Sequence, residues 1–140
     1  MMKKILVLLM VMFTVVSGWS QQLDSLSYTV DGKPFLGFVA KPAKVTKNTK
    51  TILIVHEWWG LNEYPKTRAL QLAKEGFIAI CIDMYGKGLG ADNPSGAGAL
   101  AGQVYVDTAV LLSRFMAGYQ AAFTVPGGQS NKMAGNGFWL

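Results

Sequence analysis

The sequence predicts an α/β protein built on a parallel sheet, with a β-hairpin in front of it. Two continuous apolar runs, residues 51–55 and 77–82, are rich in β-branched side chains and have the character of strands buried on both faces. A helical pattern lies between them. A strand, a helix and a strand joined by short connections form a right-handed βαβ unit, so the two strands are expected to be parallel.

The segment before these strands predicts an antiparallel hairpin. Residues 26–30 and 33–40 alternate apolar and polar side chains on either side of Asp31-Gly32, a dipeptide typical of tight turns. Pro42 ends the hairpin, and a polar loop over residues 44–50 leads to the first buried strand.

The helix between the buried strands is predicted over residues 65–75, with proline in its first turn and Gly76 as its stop. Residues 86–98 are rich in glycine and predict a loop over the carboxyl ends of the strands. A helical region over residues 99–123 follows, as one helix or as two, because Asp107 could cap a second start. A third parallel strand is predicted to begin within residues 132–140.

The first 20 residues have the pattern of a secretory signal peptide. Lys3 and Lys4 give a positive start, and an apolar run from residue 5 to residue 13 continues through Val15 and Val16. This run is shorter than the roughly 18 to 20 residues that cross a bilayer, which favours cleavage before Gln21 over the alternative, an uncleaved anchor. Residues 21–140 are then a partial domain, periplasmic or secreted, with no membrane attachment after cleavage.

Charge and cysteine content argue against several classes of protein. Loss of residues 1–20 lowers the formal net charge from +5 to +3, and the lysines between residues 33 and 50 are not densely clustered, so nucleic-acid binding is not predicted. The single cysteine, Cys81, lies in an apolar strand where a thiolate is disfavoured, and it can form neither a disulfide framework nor a thiolate zinc cluster. Residues 86–90 lack the full spacing of a phosphate-binding loop. No metal or cofactor is expected.

The most informative segment is residues 54–62, Ile-Val-His-Glu-Trp-Trp-Gly-Leu-Asn. It leaves the carboxyl end of a buried strand, the edge where open α/β sheets bind their ligands. Taken one at a time, Trp58 and Trp59 would cover the core and Glu57 would be a solvated loop acid.

The assembled pattern, however, resembles the dienelactone hydrolase family. The matching pieces are the hairpin at residues 28–37 with Pro42, the loop at 56–62, and residues 79–87 and 99–105. In order and spacing they extend over essentially the whole chain after the predicted signal peptide.

The resemblance implies an α/β-hydrolase fold, of which this chain carries the N-terminal half, and hydrolysis of a small-molecule ester or lactone through an acyl-enzyme. It also implies a triad of Cys or Ser, Asp and His, with the nucleophile on a strained Gly-x-nucleophile-x-Gly elbow and backbone N–H groups that stabilise the oxyanion. By the same resemblance, the backbone N–H of Trp58 is one oxyanion donor, and Glu57 matches the glutamate near the resting thiol.

The sequence departs from the family pattern at the elbow, where truncation is expected. The family form Gly-Tyr-Cys-x-Gly-Gly aligns with residues 137–140, which puts Trp139 at the nucleophile position, and an indole has no usable lone pair for attack. The only histidine, His56, precedes the elbow, whereas the triad order is nucleophile, acid, base; it is expected to orient its loop. Asp83 is out of order too and is expected to cap or hydrogen bond a loop.

Three functional hypotheses follow. In the first, the chain is a truncated or frameshifted, inactive form of an exported ester or lactone hydrolase; the family pattern up to residue 137 and its loss thereafter favour it. In the second, it is a non-catalytic exported binding or interaction protein that retains the front half of the fold. An uncovered edge strand argues against that reading. The third is weak hydrolysis by the oxyanion loop alone.

Overall fold

The computed structural model describes residues 22–128 and 133–137, which form a five-stranded sheet with helices on both faces. The strands are β1 (Leu23–Val30), β2 (Lys33–Ala40), β3 (Thr51–Val55), β4 (Ile78–Ile82) and β5 (Met133–Gly137), and the helices are α1 (Glu63–Lys74), α2 (Pro94–Tyr105) and α3 (Thr108–Ala122). The strand order is β1-β2-β4-β3-β5. The predicted signal peptide, residues 1–20, lies outside the described residues.

The strand pairing confirms the α/β fold that the sequence predicts. β1 and β2 form an antiparallel hairpin around Asp31 and Gly32, whose φ angles of 49° and 74° are those of a tight turn. β3 pairs in parallel with β4 on one side and with β5 on the other. β2 joins the parallel strands by pairing antiparallel to β4.

β4 is central to the core, because all five of its residues are buried. Its isoleucines belong to the hydrophobic cluster that also contains residues of α2 and α3, and Ala79 and Cys81 belong to the cluster that contains residues of α1. The continuous apolar run therefore forms the strand, buried on both faces, that the sequence predicts, because helices cover both faces of the sheet at β4.

Two helix boundaries differ from the predictions for identifiable reasons. α1 begins at Glu63, before the predicted start, because the Asn62 side chain accepts a hydrogen bond from the Tyr64 N–H at 3.0 Å. α2 begins at Pro94, inside the loop predicted over residues 86–98, because the Asn93 side chain caps it by accepting from Gly96 N–H at 2.9 Å. The prediction of a loop to residue 98 is therefore wrong.

The helical region after β4 consists of two helices. α2 ends at Tyr105, and the Asp107 side chain starts α3 by accepting a hydrogen bond from Ala109 N–H at 2.8 Å. This outcome settles the choice that the sequence left open. Within the described ranges, no helix combines the length and hydrophobicity needed to cross a membrane.

Candidate functional site at the carboxyl ends of β3 and β4

Two loops meet at the carboxyl edge of the parallel strands. The β3 loop, residues 56–62, follows Val55, and the β4 loop, residues 83–93, follows Ile82. A β-bridge joins Gly60 to Gly90, and the Ala91 N–H donates to the Trp59 carbonyl at 3.0 Å. The sequence-predicted site residues of β3 and β4 therefore share one edge of the sheet, as parallel pairing requires.

The β3 loop contains a tight turn over residues 57–60, in which the Gly60 N–H donates to the Glu57 carbonyl at 3.1 Å. Gly60 has a φ of 91°, and a Cβ there would lie 3.0 Å from Gly90 Cα. Both the backbone conformation and the close approach to the β4 loop require glycine at this position.

His56 is buried, and both of its ring nitrogens contact backbone groups. Nδ1–H donates to the Glu57 carbonyl at 2.6 Å, and Nε2 accepts from the Met84 N–H at 3.1 Å. Burial lowers the pKa of His56, so the ring is held neutral. These contacts agree with the expected role of orienting the loop, and they leave neither nitrogen to act as a general base.

Trp58 stands at the centre of the turn. Its ring is half-buried against Trp59, with ring centroids 5.1 Å apart. The Trp58 carbonyl accepts a hydrogen bond from the Tyr85 hydroxyl at 2.9 Å. Among residues 22–128 and 133–137, no hydrogen-bond acceptor lies against the Trp58 backbone N–H.

Glu57 contributes its backbone to the turn, and its side chain is half-buried. In the part of the chain that the structure describes, the Glu57 carboxylate has no hydrogen bond or ion pair. Trp139, predicted to occupy the nucleophile position, lies outside the described residues, and the neighbouring strand β5 is described as far as Gly137, opposite Val55 of β3.

Asp83 is buried, and it organises the β4 loop through both carboxylate oxygens. Oδ1 accepts from the N–H groups of Tyr85 and Gly86 at 2.9 and 3.0 Å, and Oδ2 accepts from the Leu36 N–H at 3.2 Å. The Tyr28 hydroxyl donates to the Asp83 carbonyl at 2.7 Å and accepts from the Asp83 N–H at 2.9 Å. Asp83 therefore has the loop-bonding role that the sequence predicts.

Sequence reasoning missed three side chains that shape this edge: Tyr28, Tyr85 and Arg114. Arg114 on α3 donates to the Met84 carbonyl at 2.8 Å. Tyr85 could have been suspected, because it follows β4 at the edge where the β3 loop begins. Tyr28 and Arg114 carry no local signal, since each reaches the β4 loop from a distant part of the chain.

Two cavities open beside the β3 and β4 loops. One, of about 540 Å³, lies between the glycine-rich part of the β4 loop and the start of α1, with Trp59, Leu61 and Lys66 in its wall. The other, of about 250 Å³, is apolar and lies at the ends of β3 and β5. Within the described ranges, no three His, Cys, Asp or Glu side chains are grouped to hold a metal ion.

The chain is similar to known proteins in both sequence and fold. Residues 35–139 match the model of the dienelactone hydrolase family. A carboxymethylenebutenolidase of Aquifex aeolicus (strain VF5) is 36% identical over 84 residues, which cover 57% of this chain and 34% of the relative. A hydrolase fragment of Escherichia coli (strain K12) is 43% identical over 47 residues, which cover 34% of this chain and 40% of that protein.

A solved structure of a dienelactone hydrolase-like promiscuous phosphotriesterase from metagenomic libraries superposes with a TM-score of 0.78 and 25% identity. The match covers 85% of this chain and 49% of that protein. The chain thus spans about a third of the length of the Aquifex relative and about half that of the solved structure. Since the family model accounts for most of the sequence, the chain belongs to the dienelactone hydrolase family.

Proposed function

We propose that this chain supplies the oxyanion side of an active site that hydrolyses a small-molecule carboxylic ester or lactone. One observation carries the proposal: the Trp58 N–H has no acceptor among the described residues, although the carbonyls around it are bonded. A backbone donor of this kind, at the carboxyl edge of a parallel sheet, suits the negative charge that develops on a carbonyl oxygen under attack. Membership of a hydrolase family supports the same reaction class.

In the proposed reaction, a nucleophile attacks the carbonyl carbon, and the electron pair moves to the carbonyl oxygen. The Trp58 N–H stabilises that oxyanion together with the N–H of the residue after the nucleophile. The oxyanion then collapses and the C–O bond breaks, so that the alcohol leaves with the proton that the nucleophile gave up. Water hydrolyses the acyl-enzyme, which releases the carboxylic acid and restores the nucleophile. In this scheme Glu57, whose carboxylate has no hydrogen bond or ion pair among the described residues, lies beside the resting nucleophile.

These 140 residues on their own are proposed to be inactive. The nucleophile position carries Trp139, which cannot attack a carbonyl. The only cysteine, Cys81, is buried in β4, and burial raises the pKa of its thiol to about 12. The only histidine, His56, has both nitrogens bonded to backbone. The same proposal holds that the complete enzyme is exported, because of the signal pattern in residues 1–20.

Restoring a thiol at position 139 tests the proposal. Trp139→Cys should react with p-nitrophenyl acetate in one stoichiometric step, forming a thioester and releasing p-nitrophenolate, about tenfold or more faster per thiolate than a surface thiol. Ser113→Cys, on the exposed side of α3, provides that surface thiol. The parent chain should release no p-nitrophenolate above a Glu57→Ala control. Equal rates for the two thiols would contradict the proposed oxyanion site, and turnover by the parent that Glu57→Ala abolishes would contradict its inactivity.

Reading the coding DNA past the Leu140 codon tests the proposed truncation. A frame that continues into elbow glycines, then Asp and His, supports it. A stop codon with no such sequence in any frame contradicts it.

A further inference from the structure

We propose that Tyr85 is a positioning residue for the oxyanion-binding N–H of Trp58, and that it acts together with His56. This inference rests on the proposed function, because it concerns how that one donor is aimed. Its basis is a run of three consecutive carbonyls, those of Glu57, Trp58 and Trp59, that are all held by hydrogen bonds.

The first held carbonyl belongs to the same peptide group as the Trp58 N–H. The Glu57 carbonyl accepts from His56 Nδ1–H at 2.6 Å and from the Gly60 N–H at 3.1 Å. A trans peptide is planar, with its N–H directed opposite its C=O, so two bonds to the carbonyl fix the direction of the Trp58 N–H. The same two bonds polarise the peptide and strengthen it as a donor.

The second held carbonyl is that of Trp58 itself. It accepts from the Tyr85 hydroxyl at 2.9 Å, and the next carbonyl, that of Trp59, accepts from the Ala91 N–H at 3.0 Å. The φ and ψ angles of Trp58 link the peptide group of the Glu57 carbonyl to that of the Trp58 carbonyl, and they are the only easy rotations between the two. Without the hydrogen bond from the Tyr85 hydroxyl, the peptide group that contains the Trp58 carbonyl could rotate. That rotation would tilt the preceding peptide group, which carries the Trp58 N–H.

Tyr85 is itself held firmly, as a positioning residue must be. Its backbone N–H donates to Asp83 Oδ1 at 2.9 Å, and its ring packs edge-on against His56 with centroids 4.7 Å apart. Burial raises the pKa of the Tyr85 hydroxyl to about 12, so the group keeps the proton that it donates to the Trp58 carbonyl. Tyr85 and His56 thus form one packed unit with a bond to each of two successive peptide groups.

The size of the expected effect follows from oxyanion donors in general. Removing such a donor lowers the rate about 10²- to 10³-fold. Removing only the bond that aims it should cost less, about five- to tenfold, because the N–H is still present but spends less time in the productive direction.

The experiment compares the acylation rate of Trp139→Cys with that of the double variants Trp139→Cys/Tyr85→Phe and Trp139→Cys/Tyr119→Phe, using p-nitrophenyl acetate. Tyr119 of α3 is a matched control, because its ring packs between Phe115 and Phe123, the residue that follows the helix, away from the β3 loop. Tyr85→Phe should lower the acylation rate per thiolate about fivefold or more and leave the thiol pKa in the pH profile unchanged. Tyr119→Phe should change the rate by less than about twofold.

Carbonyl ¹³C resonances provide a readout that a general loss of stability would not reproduce. In Tyr85→Phe, the Trp58 carbonyl signal should shift as its hydrogen bond is lost, and the carbonyl signals of α1 should stay in place. In the unsubstituted chain, the Tyr85 hydroxyl proton should be protected from solvent exchange, which tests the bond without any substitution.

The outcomes separate the two proposals. If Trp139→Cys is acylated faster than Ser113→Cys but adding Tyr85→Phe leaves its acylation rate unchanged, the positioning role of Tyr85 is wrong and the proposed oxyanion site is supported. An unprotected Tyr85 hydroxyl also overturns the positioning role. If Trp139→Cys reacts no faster than Ser113→Cys, the proposed oxyanion site fails, and the positioning role fails with it.

Discussion

His56 and Met84 are joined by a hydrogen bond of 3.1 Å from the Met84 N–H to His56 Nε2, which ties the start of the β3 loop to the β4 loop. Since the same ring donates from Nδ1 to the Glu57 carbonyl, only the neutral form of the imidazole satisfies both contacts. The protonation state of one side chain therefore affects both loops of the site.

Acid should weaken the fold through His56. Its folded pKa is lowered below the unfolded value near 6.5 by burial, although the Glu57 carbonyl and Asp83 oppose that shift. The unfolded chain then binds a proton first as the pH falls, so stability is full above about pH 6.5 and declines as the pH falls toward the folded pKa.

Urea unfolding at about pH 7.5 and about pH 5.5 checks this prediction, because the free energy of unfolding should be smaller at the lower pH. His56 is the only histidine, so a His56→Gln variant should lose most of the difference. An equal pH dependence in both proteins would show that His56 is not the cause.

Asp83→Asn should be among the most destabilising of the conservative substitutions. The carboxylate accepts three backbone hydrogen bonds in a buried site, and an amide in its place would turn an NH₂ group toward at least one of those donors. We expect a loss of about 2 to 4 kcal/mol in the free energy of unfolding. Asp24→Asn removes only an exposed ion pair with Lys41 and should cost less than about 1 kcal/mol. Similar values for the two variants in urea titrations would refute the structural role of Asp83.

Gly118→Ala should destabilise the contact between α3 and the sheet. A Cβ at Gly118 would lie 2.8 Å from the Ile82 Cβ and 3.1 Å from the Tyr28 hydroxyl. Because that space is filled, we expect a loss of about 1 to 3 kcal/mol. Gly102→Ala on α2 is the matched control, since a Cβ there meets nothing within 4 Å, and the better helix propensity of alanine should stabilise by up to about 1 kcal/mol. Melting temperatures that shift in the same direction would contradict this reasoning.

Cys81 should be unreactive toward thiol reagents in the folded protein. The side chain is buried, its Sγ–H donates to the Pro65 carbonyl at 3.2 Å, and burial raises its pKa to about 12. Labelling by an aromatic disulfide should be at least about 100-fold slower in buffer than in urea, since it requires opening of the core. In Ser113→Cys, one thiol per chain should be labelled rapidly. Rapid labelling of the parent chain would show that β4 is not covered as described.

Much of this arrangement could be predicted because its signals are local. The apolar runs predict β3 and β4, and Asp31-Gly32 predicts the hairpin. Because β3 and β4 are parallel, the loop after β3 is predicted to lie at the carboxyl edge of the sheet. The start of α2 could also be predicted, because Asn93 is a favoured N-cap residue and Pro94 follows it in the first turn. The glycines around this pair, however, favour a loop.

The rest depended on contacts that no local pattern contains. Tyr28 bonds to the Asp83 backbone across 55 residues of sequence, and Tyr85 reaches Trp58 across 27. A tyrosine in an alternating strand has the same sequence signature whether its hydroxyl meets solvent or a distant loop. For this reason the loop-bonding roles of His56 and Asp83 could be predicted, whereas the contacts of Tyr28, Tyr85 and Arg114 could not.

The contacts around Asp83 and Met84 come from parts of the chain that leave the ribosome at different times. Chains emerge from the ribosome N-terminus first, so Tyr28 and Leu36 are present when Asp83 appears, and both can bond to it at once. Arg114, which bonds to the neighbouring Met84 carbonyl from α3, emerges 30 residues later than Met84. The β4 loop can therefore take its hairpin contacts before α2 and α3 have left the ribosome, and its final shape waits for α3.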